Sequence, residues 1–492
     1  MTPLVPQPMR VEPAEGVAFT LTHGTRIVTE PGWTQAAQVG AYLAALLGSA
    51  PAGRDGEGND DGAISLRRAG SEEALGAEGY RLVVAADGIG LWADTGAGLF
   101  RGVQTLRQLL PAAVERSGAH AGAFTVPGGL IVDRPRYAYR GVMLDVARHF
   151  FGVGDVKRLI DLSALYKVNH LHLHLTDDQG WRIAIESWPR LASHGGGTEV
   201  GDGPGGFYTR AEYREIVEYA QRHFITVVPE IDLPGHTNAA LASYPELTCD
   251  GLAPERYTGI EVGFSSLCAG NELTYRFLDD VFREVASLTP GPYLHFGGDE
   301  AKSTSPEEYA TIVRRAQEIV ARHGKTAIGW QEITAAELAA GTLVQVWDTT
   351  TTDADRIARA AANGNRIILS PADRSYLDMK YDEASPLGLS WAGYVPVAQA
   401  YGWDPASHLA GVDLDAIAGV ESPLWTETVR SMDDLEFLAF PRLAVIAEIG
   451  WSHAPAQAWT AFRERLATQA RRWDALDVAY HRAPDVPWPS SP

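Results

Sequence analysis

Beyond residue 135 the chain repeats one pattern: a short apolar run, a polar or aromatic cluster, then a stretch with apolar residues at three- and four-residue spacing. The apolar runs cover 139–144, 170–175, 225–231, 293–296, 326–329, 343–346, 366–369 and 419–424, and each reads as a strand. Helical spacing is plain over 156–166, 210–222, 271–287 and 307–322. Strand alternating with helix eight times predicts an α/β fold of the (β/α)8 TIM barrel kind. In such a barrel the carboxyl ends of the strands carry the chemistry, because loops there vary without disturbing the packed core. The polar clusters fall at those ends: Asp145 with Arg148, Asp177 with Trp181, Asp232 with His236, Asp299 with Glu300, then Trp330, Trp347, Tyr376 with Asp378, and Trp425 with Glu427.

The first 135 residues follow a different pattern. Alternating runs at 79–85 and 90–93, a helical stretch at 96–110 and an apolar segment at 129–132 predict a small α+β domain preceding the barrel. A polar, glycine-rich loop covers 53–62. The join is placed near Asp133-Arg-Pro-Arg136, which divides the chain into residues 1–135 and a catalytic barrel over 136–492. At 492 residues the chain exceeds the roughly 250 of a bare barrel, so there is length for both.

A formal net charge of −21 argues against nucleic acid and against an anionic membrane as partners, and suits a neutral or cationic ligand. No apolar run approaches a spanning helix, and residues 1–12 lack the basic start and apolar core of an export signal. As written the chain reads as cytoplasmic, or as secreted if an export segment was removed. Cys249 and Cys268 lie in the long insertion between the third and fourth barrel strands. They either form a disulfide, which implies an oxidising compartment, or remain two buried thiols. His172 and His174 alternate toward one face of a strand without a third ligand, so they read as packing or hydrogen-bonding residues; no metal or organic cofactor is implied.

The run Tyr293-Leu-His-Phe-Gly-Gly-Asp-Glu300 is the most informative. Two adjacent carboxylates follow a strand, and Gly297 and Gly298 let the backbone turn and a ligand approach. On its own, the pair fits helix capping as well as catalysis. Recurrence of polar clusters at the other strand ends favours catalysis. At the strand ends, Trp330, Trp347, Trp391 and Trp425 offer flat apolar faces of the kind that pack on the C–H face of a pyranose. Asp378 and Glu427 can accept hydroxyl hydrogens, and Arg148 can donate a fork of bonds. A carbohydrate is the expected ligand.

Five motifs together resemble the β-N-acetylhexosaminidases of glycoside hydrolase family 20. They are Arg140-Gly-Val-Met-Leu-Asp-Val-Ala-Arg-His149, His172-Leu-His-Leu-Thr-Asp-Asp-Gln-Gly-Trp181, Pro229-Glu-Ile-Asp-Leu-Pro-Gly-His236, His295-Phe-Gly-Gly-Asp-Glu300 and Trp425-Thr-Glu427. The similarity runs across nearly the whole chain. It implies exo-hydrolysis of terminal N-acetyl-β-D-hexosamine residues with retention, assisted by the substrate's own acetamide, an exception to the two-carboxylate scheme. By the same resemblance, Glu300 is the general acid and then base, Asp299 holds the acetamide N–H, and Tyr376 bonds the acetamide oxygen. Trp330, Trp347 and Trp425 wall the methyl pocket, and Arg148 binds the C3 and C4 hydroxyls. Asp378 and Glu427 take the C4 and C6 hydroxyls, with Trp391 lining the pocket. Asp177 and His236 stand behind Glu300, with Asp232 in support. The cysteines match a pair found in exported relatives. Two alternatives make different predictions: a conventional two-carboxylate glycosidase, which needs no acetamide, and a catalytically silent carbohydrate-binding protein, which needs neither Asp299 nor Glu300 intact.

Overall fold

The computed structural model describes residues 3–22, 24–48, 62–70, 74–116, 123–349, 353–453 and 458–490. The predicted glycine-rich loop at 53–62 lies outside the described residues except for Gly62.

Six strands form the amino-terminal sheet: β1 (Arg10–Leu21), β2 (Arg26–Thr29), β3 (Ala63–Arg68), β4 (Tyr80–Ala85), β5 (Gly88–Ala93) and β6 (Phe124–Asp133). Their order is β1-β6-β4-β5-β3-β2, antiparallel at the β1 end and parallel from β5 to β2. β1, β2, β3 and the helix Thr34–Leu47 were not expected from the hydrophobic pattern. β1 is exposed over its first seven residues, so it shows no apolar alternation, and β2 has only four residues. The helix did carry a signal, since Ala36, Val39, Gly40, Leu43 and Ala44 are buried at helical spacing.

The helix Gly96–Leu109 is buried on every side. That is the pattern of an element clamped between two layers. Beyond it, Arg101 Nη2 donates to Phe224 O at 2.8 Å and Gln108 Nε2 to Leu165 O at 3.2 Å, both carbonyls of the barrel unit.

The barrel strands are β7 (Tyr139–Asp145), β8 (His170–His174), β11 (Thr226–Leu233), β12 (Tyr293–Gly297), β13 (Thr326–Trp330), β14 (Leu343–Val346), β15 (Arg366–Leu369) and β16 (Ile417–Leu424). A two-residue hairpin, β9 (Thr176–Asp177) and β10 (Gly180–Trp181), follows β8. All eight barrel strands pair in parallel and β16 closes onto β7, giving the expected (β/α)8 architecture behind an α+β unit. One predicted alternation differs. The twelve residues between β13 and β14 form the 3₁₀ turn Gln331–Ala335 rather than an α-helix, because the connection is too short for a helix and its return.

The barrel interior is polar near its carboxyl end. Strand register sets Asp145, His174, Glu230 and His295 side by side, all fully buried. Most barrels fill such a layer with branched apolar side chains. Cys249 and Cys268 are joined by a disulfide that closes the insertion between β11 and β12.

Candidate active site

β12 ends at Gly297, and the backbone then turns through left-handed conformations: φ is 70° at Gly297, 105° at Gly298 and 45° at Glu300. A Cβ at Gly297 would stand 1.6 Å from Asp232 Oδ1, and one at Gly298 would stand 2.6 Å from Ile333 Cγ2. No larger residue fits either position. Gly298 N donates to Asp232 Oδ1 at 3.2 Å, and Tyr309 OH donates to Gly298 O at 2.6 Å, which pins the turn from both sides. As a result Asp299 and Glu300 border one cavity instead of pointing to opposite faces, as strand neighbours do.

That cavity has a volume of about 210 Å³. Arg148, His236, Asp299, Glu300, Trp330, Trp347, Tyr376, Trp391, Trp425 and Glu427 border it, together with Ile260, Val262 and Leu389. Ten sequence-predicted residues thus converge from seven strand ends and one loop. Trp330 and Trp425 lie with ring centres 5.9 Å apart, and Trp347 meets Trp391 edge-on at 5.8 Å.

Three placements differ from expectation. Trp391 is not at a strand end; it lies far along the loop between β15 and β16 and is 56% exposed, forming a rim. His236 borders the cavity rather than standing behind it. Asp378 is buried behind the wall, where it accepts from Trp425 N at 3.4 Å. Arg148 has its Nη2 2.9 Å from Asp177 Oδ2 and Nη1 3.4 Å from Asp145 Oδ2, and stacks 4.8 Å above Trp425. Asp177 and Asp232 lie outside the lining.

A column of alternating acids and imidazoles forms the floor. Tyr139 OH donates to Glu421, whose other oxygen faces His172 Nδ1 at 2.9 Å. His172 Nε2 and His174 Nδ1 meet Glu230 Oε2 at 3.0 and 2.5 Å. His174 Nε2 meets Asp177 Oδ2 at 2.7 Å, and His236 Nδ1 meets Asp177 Oδ1 at 3.1 Å. His236 Nε2 then stands 3.4 Å from Asp299 and 3.7 Å from Glu300. Burial opposes charge on His172, yet Glu421 and Glu230 outweigh it and push its pKa up to about 9. Burial is likewise overcome at His174 by Glu230 and Asp177, and at His236 by Asp177 and Asp299. Asp177 and Glu230 are held well below the usual carboxylate range despite burial, by Arg148 and His236 and by the surrounding histidines respectively.

At neutral pH these upward shifts favour the doubly protonated, cationic form of His172, His174 and His236. Groupings such as His172–Glu230–His295 and His174–Asp177–Asp232 have the spacing to hold a metal ion. A metal there would have to displace the protons that the neighbouring carboxylates favour on His172 and His174. Two acids at the far side behave oppositely: burial, then the charge on Glu427, pushes Asp378 well up, and burial raises Glu427 despite Arg148. Asp299 Oδ1, Asp378 Oδ2, Glu427 Oε2 and Arg148 Nε are buried without a hydrogen-bond partner among the described residues. Buried polar atoms of this kind are expected to find one in a ligand.

Sequence reasoning missed Glu230, although it lies inside a quoted motif, and missed Tyr309 and Glu332. Trp330 Nε1 donates to Glu230 at 2.9 Å and Trp347 Nε1 to Glu332 at 3.2 Å, so each indole is fixed by a carboxyl. The signal for Glu332 was its position two residues past a strand-end tryptophan. Ile260 and Val262 carry no signal, being apolar residues in an irregular insertion.

Comparison with known proteins gives a consistent picture. The family model for the catalytic domain of glycosyl hydrolase family 20 matches residues 137–454, and that for domain 2 of the same family matches residues 1–134. A Beta-N-acetylhexosaminidase of Cellulomonas fimi is 44% identical over 490 residues, spanning 99% of this chain and 97% of that protein. The solved GH20 beta-N-acetylhexosaminidase from Streptomyces coelicolor A3(2) superposes with a TM-score of 0.94 at 54% identity, covering 99% of this chain and 98% of the other. A mutant Streptomyces plicatus beta-hexosaminidase in complex with product GlcNAc superposes equally well, with a TM-score of 0.94, 54% identity, and 99% and 97% coverage.

Proposed function

Since the chain belongs to glycosyl hydrolase family 20, we propose that it is an exo-acting β-N-acetylhexosaminidase that removes terminal non-reducing N-acetyl-β-D-hexosamine residues. It is a retaining glycoside hydrolase that uses the substrate's acetamide as nucleophile. Residues 1–135 and 136–492 are taken as its two domains.

The observation that carries the assignment of roles is the unmatched, buried Oδ1 of Asp299 beside Glu300 in a tryptophan-walled cavity the size of one sugar ring. Asp299 accepts the acetamide N–H, which turns the carbonyl oxygen toward the anomeric carbon, and Tyr376 donates to that oxygen. As the anomeric bond to the leaving group breaks, the carbonyl oxygen bonds C1 and Glu300 transfers its proton to the departing oxygen. The cyclic oxazolinium carries positive charge next to Asp299. Glu300 then takes a proton from the water that reopens the ring, restoring the β configuration. Trp330, Trp347 and Trp425 enclose the acetamide methyl group. Arg148 and Glu427 take ring hydroxyls, Asp378 supports them from behind the wall, and Trp391 covers the rim. Asp177 and His236 set the charge around Glu300, and Asp232 holds the turn that presents it.

The test is the rate on 4-nitrophenyl N-acetyl-β-D-glucosaminide beside that on 4-nitrophenyl β-D-glucoside under one set of conditions. A large preference for the acetamido sugar is expected. Comparable rates would overturn the assisted mechanism.

A further inference from the structure

The two residues that follow Trp330, the last of β13, act on the end of the next strand. Trp330 walls the cavity. Gln331 Oε1 accepts from the backbone N–H groups of Trp347 and Asp348 at 3.1 and 3.0 Å. Glu332 Oε2 accepts from the Trp347 indole N–H at 3.2 Å. The 3₁₀ turn that replaces a helix here makes this possible, because it sends adjacent side chains back over the barrel mouth.

Trp347 needs such an anchor. It is only partly buried, and its ring neighbours are Tyr376 at 6.5 Å and the largely exposed Trp391 at 5.8 Å. The ring packs against the core on one side only, so the hydrogen bond at its N–H adds a restraint on its rotation that packing alone supplies incompletely. The backbone of Trp347 is held by Gln331, and its side chain by Glu332. We infer that Glu332 is a positioning residue that fixes the rotation of the Trp347 indole and thereby sets the size of the N-acyl group the enzyme accepts. This rests on the placement of Trp347 against the acetamide methyl group proposed above.

The chemistry of Glu332 fits that part. Burial, then the charge on Asp299, pushes its carboxyl up to about 8, so near neutral pH it is an uncharged hydrogen-bonding group. It serves the indole without placing a second anion beside Asp299, and glutamine is its close mimic.

The experiment compares kcat/KM for 4-nitrophenyl β-D-glucosaminides bearing N-acetyl and N-propionyl groups, in wild type, E332A and E332Q. One methylene against a closed apolar wall is worth roughly tenfold or more, so wild type should favour acetyl by at least that factor. E332A should narrow the preference by about tenfold, and E332Q should stay within about twofold of wild type. A ratio unchanged in E332A overturns the inference, as does a ratio in E332Q that moves as far as in E332A. If E332A does not fold, Glu332→Asp serves instead: it shortens the reach by one methylene and must broaden acyl tolerance, and an unchanged ratio again overturns the inference. If wild type cleaves the plain β-glucoside as fast as the N-acetyl sugar, the inference falls together with the proposed function, and that result is distinct from the other two.

Discussion

Glu300 holds a left-handed backbone at φ 45°, and His236, which faces it, holds another at φ 55°. Side chains in that region cost of order 1–3 kcal/mol and persist where the surroundings impose them. Here the imposing elements are Asp232, Tyr309 and the two glycines. Gly297→Ala should therefore remove nearly all turnover, since its Cβ and the Asp232 carboxyl cannot occupy one place; kcat measured beside a thermal melt separates loss of the turn from loss of the fold. Asp299→Ala should lower kcat/KM on an N-acetyl substrate by roughly 100-fold or more, the scale for removing an electrostatic stabiliser. Glu300→Gln should slow substrates with poor leaving groups much more than activated aryl glycosides, because only the former need protonation. Equal losses on both would remove Glu300 from the acid role. The adjacent carboxylates and glycines were legible at this scale because they share one short run. Glu230 and Glu332 were not, since their significance comes from tryptophans 100 and 15 residues away in sequence.

Among the elements, most barrel strands were readable as short runs rich in apolar residues bounded by polar ones, as in sheets covered on both faces, although β8 alternates leucine with histidine and β16 carries Glu421. The connection after β13 broke the alternation, and the edge strand β1 lacked it. The insertion between β11 and β12 has no regular pattern over much of its length, yet it brings Ile260 and Val262 to the cavity and is closed by Cys249–Cys268. A cross-link spanning 19 residues of sequence restrains the unfolded chain by about 3 kcal/mol. Cys249→Ser should lower the thermal midpoint and raise KM more than it lowers kcat, because the rim loosens while Asp299 and Glu300 stay in place. A reductant should reproduce both effects in wild type and add nothing in the variant.

The sheet and the barrel meet across charged groups that no local pattern announces. Glu78, before β4, accepts from Arg101 Nε at 2.9 Å, Arg140 Nη2 at 2.6 Å and Asn169 Nδ2 at 2.8 Å. Asp133, at the end of β6, accepts from Tyr80 OH at 2.7 Å and from Trp451 Nε1 at 2.9 Å. Burial works against the charge on Glu78, but Arg140 and Arg101 prevail and bring its pKa down to about 2 from 4.5. A depressed carboxylate contributes stability that is full above the unfolded value and is lost as pH falls from about 4.5 toward 2. The shift corresponds to about 3 kcal/mol. Glu78→Gln should flatten that part of the acid-denaturation curve, and Glu78→Ala should cost about 3–5 kcal/mol at neutral pH by stranding two buried guanidinium groups. Chemical denaturation from pH 2 to 7 checks both. No helix among the described residues is long and apolar enough to cross a membrane.

The sequence alone determined the succession of strands and helices, the barrel, and the residue types at the strand ends, because periodicity and short motifs are local properties that survive in one dimension. Only the tertiary structure decided which oxygen of Asp299 lacks a partner, that Asp378 stands behind the wall and His236 within it, and that Glu230 and Glu332 anchor two tryptophans. Those facts depend on distances between side chains carried by different strands, and closing the barrel is what sets them.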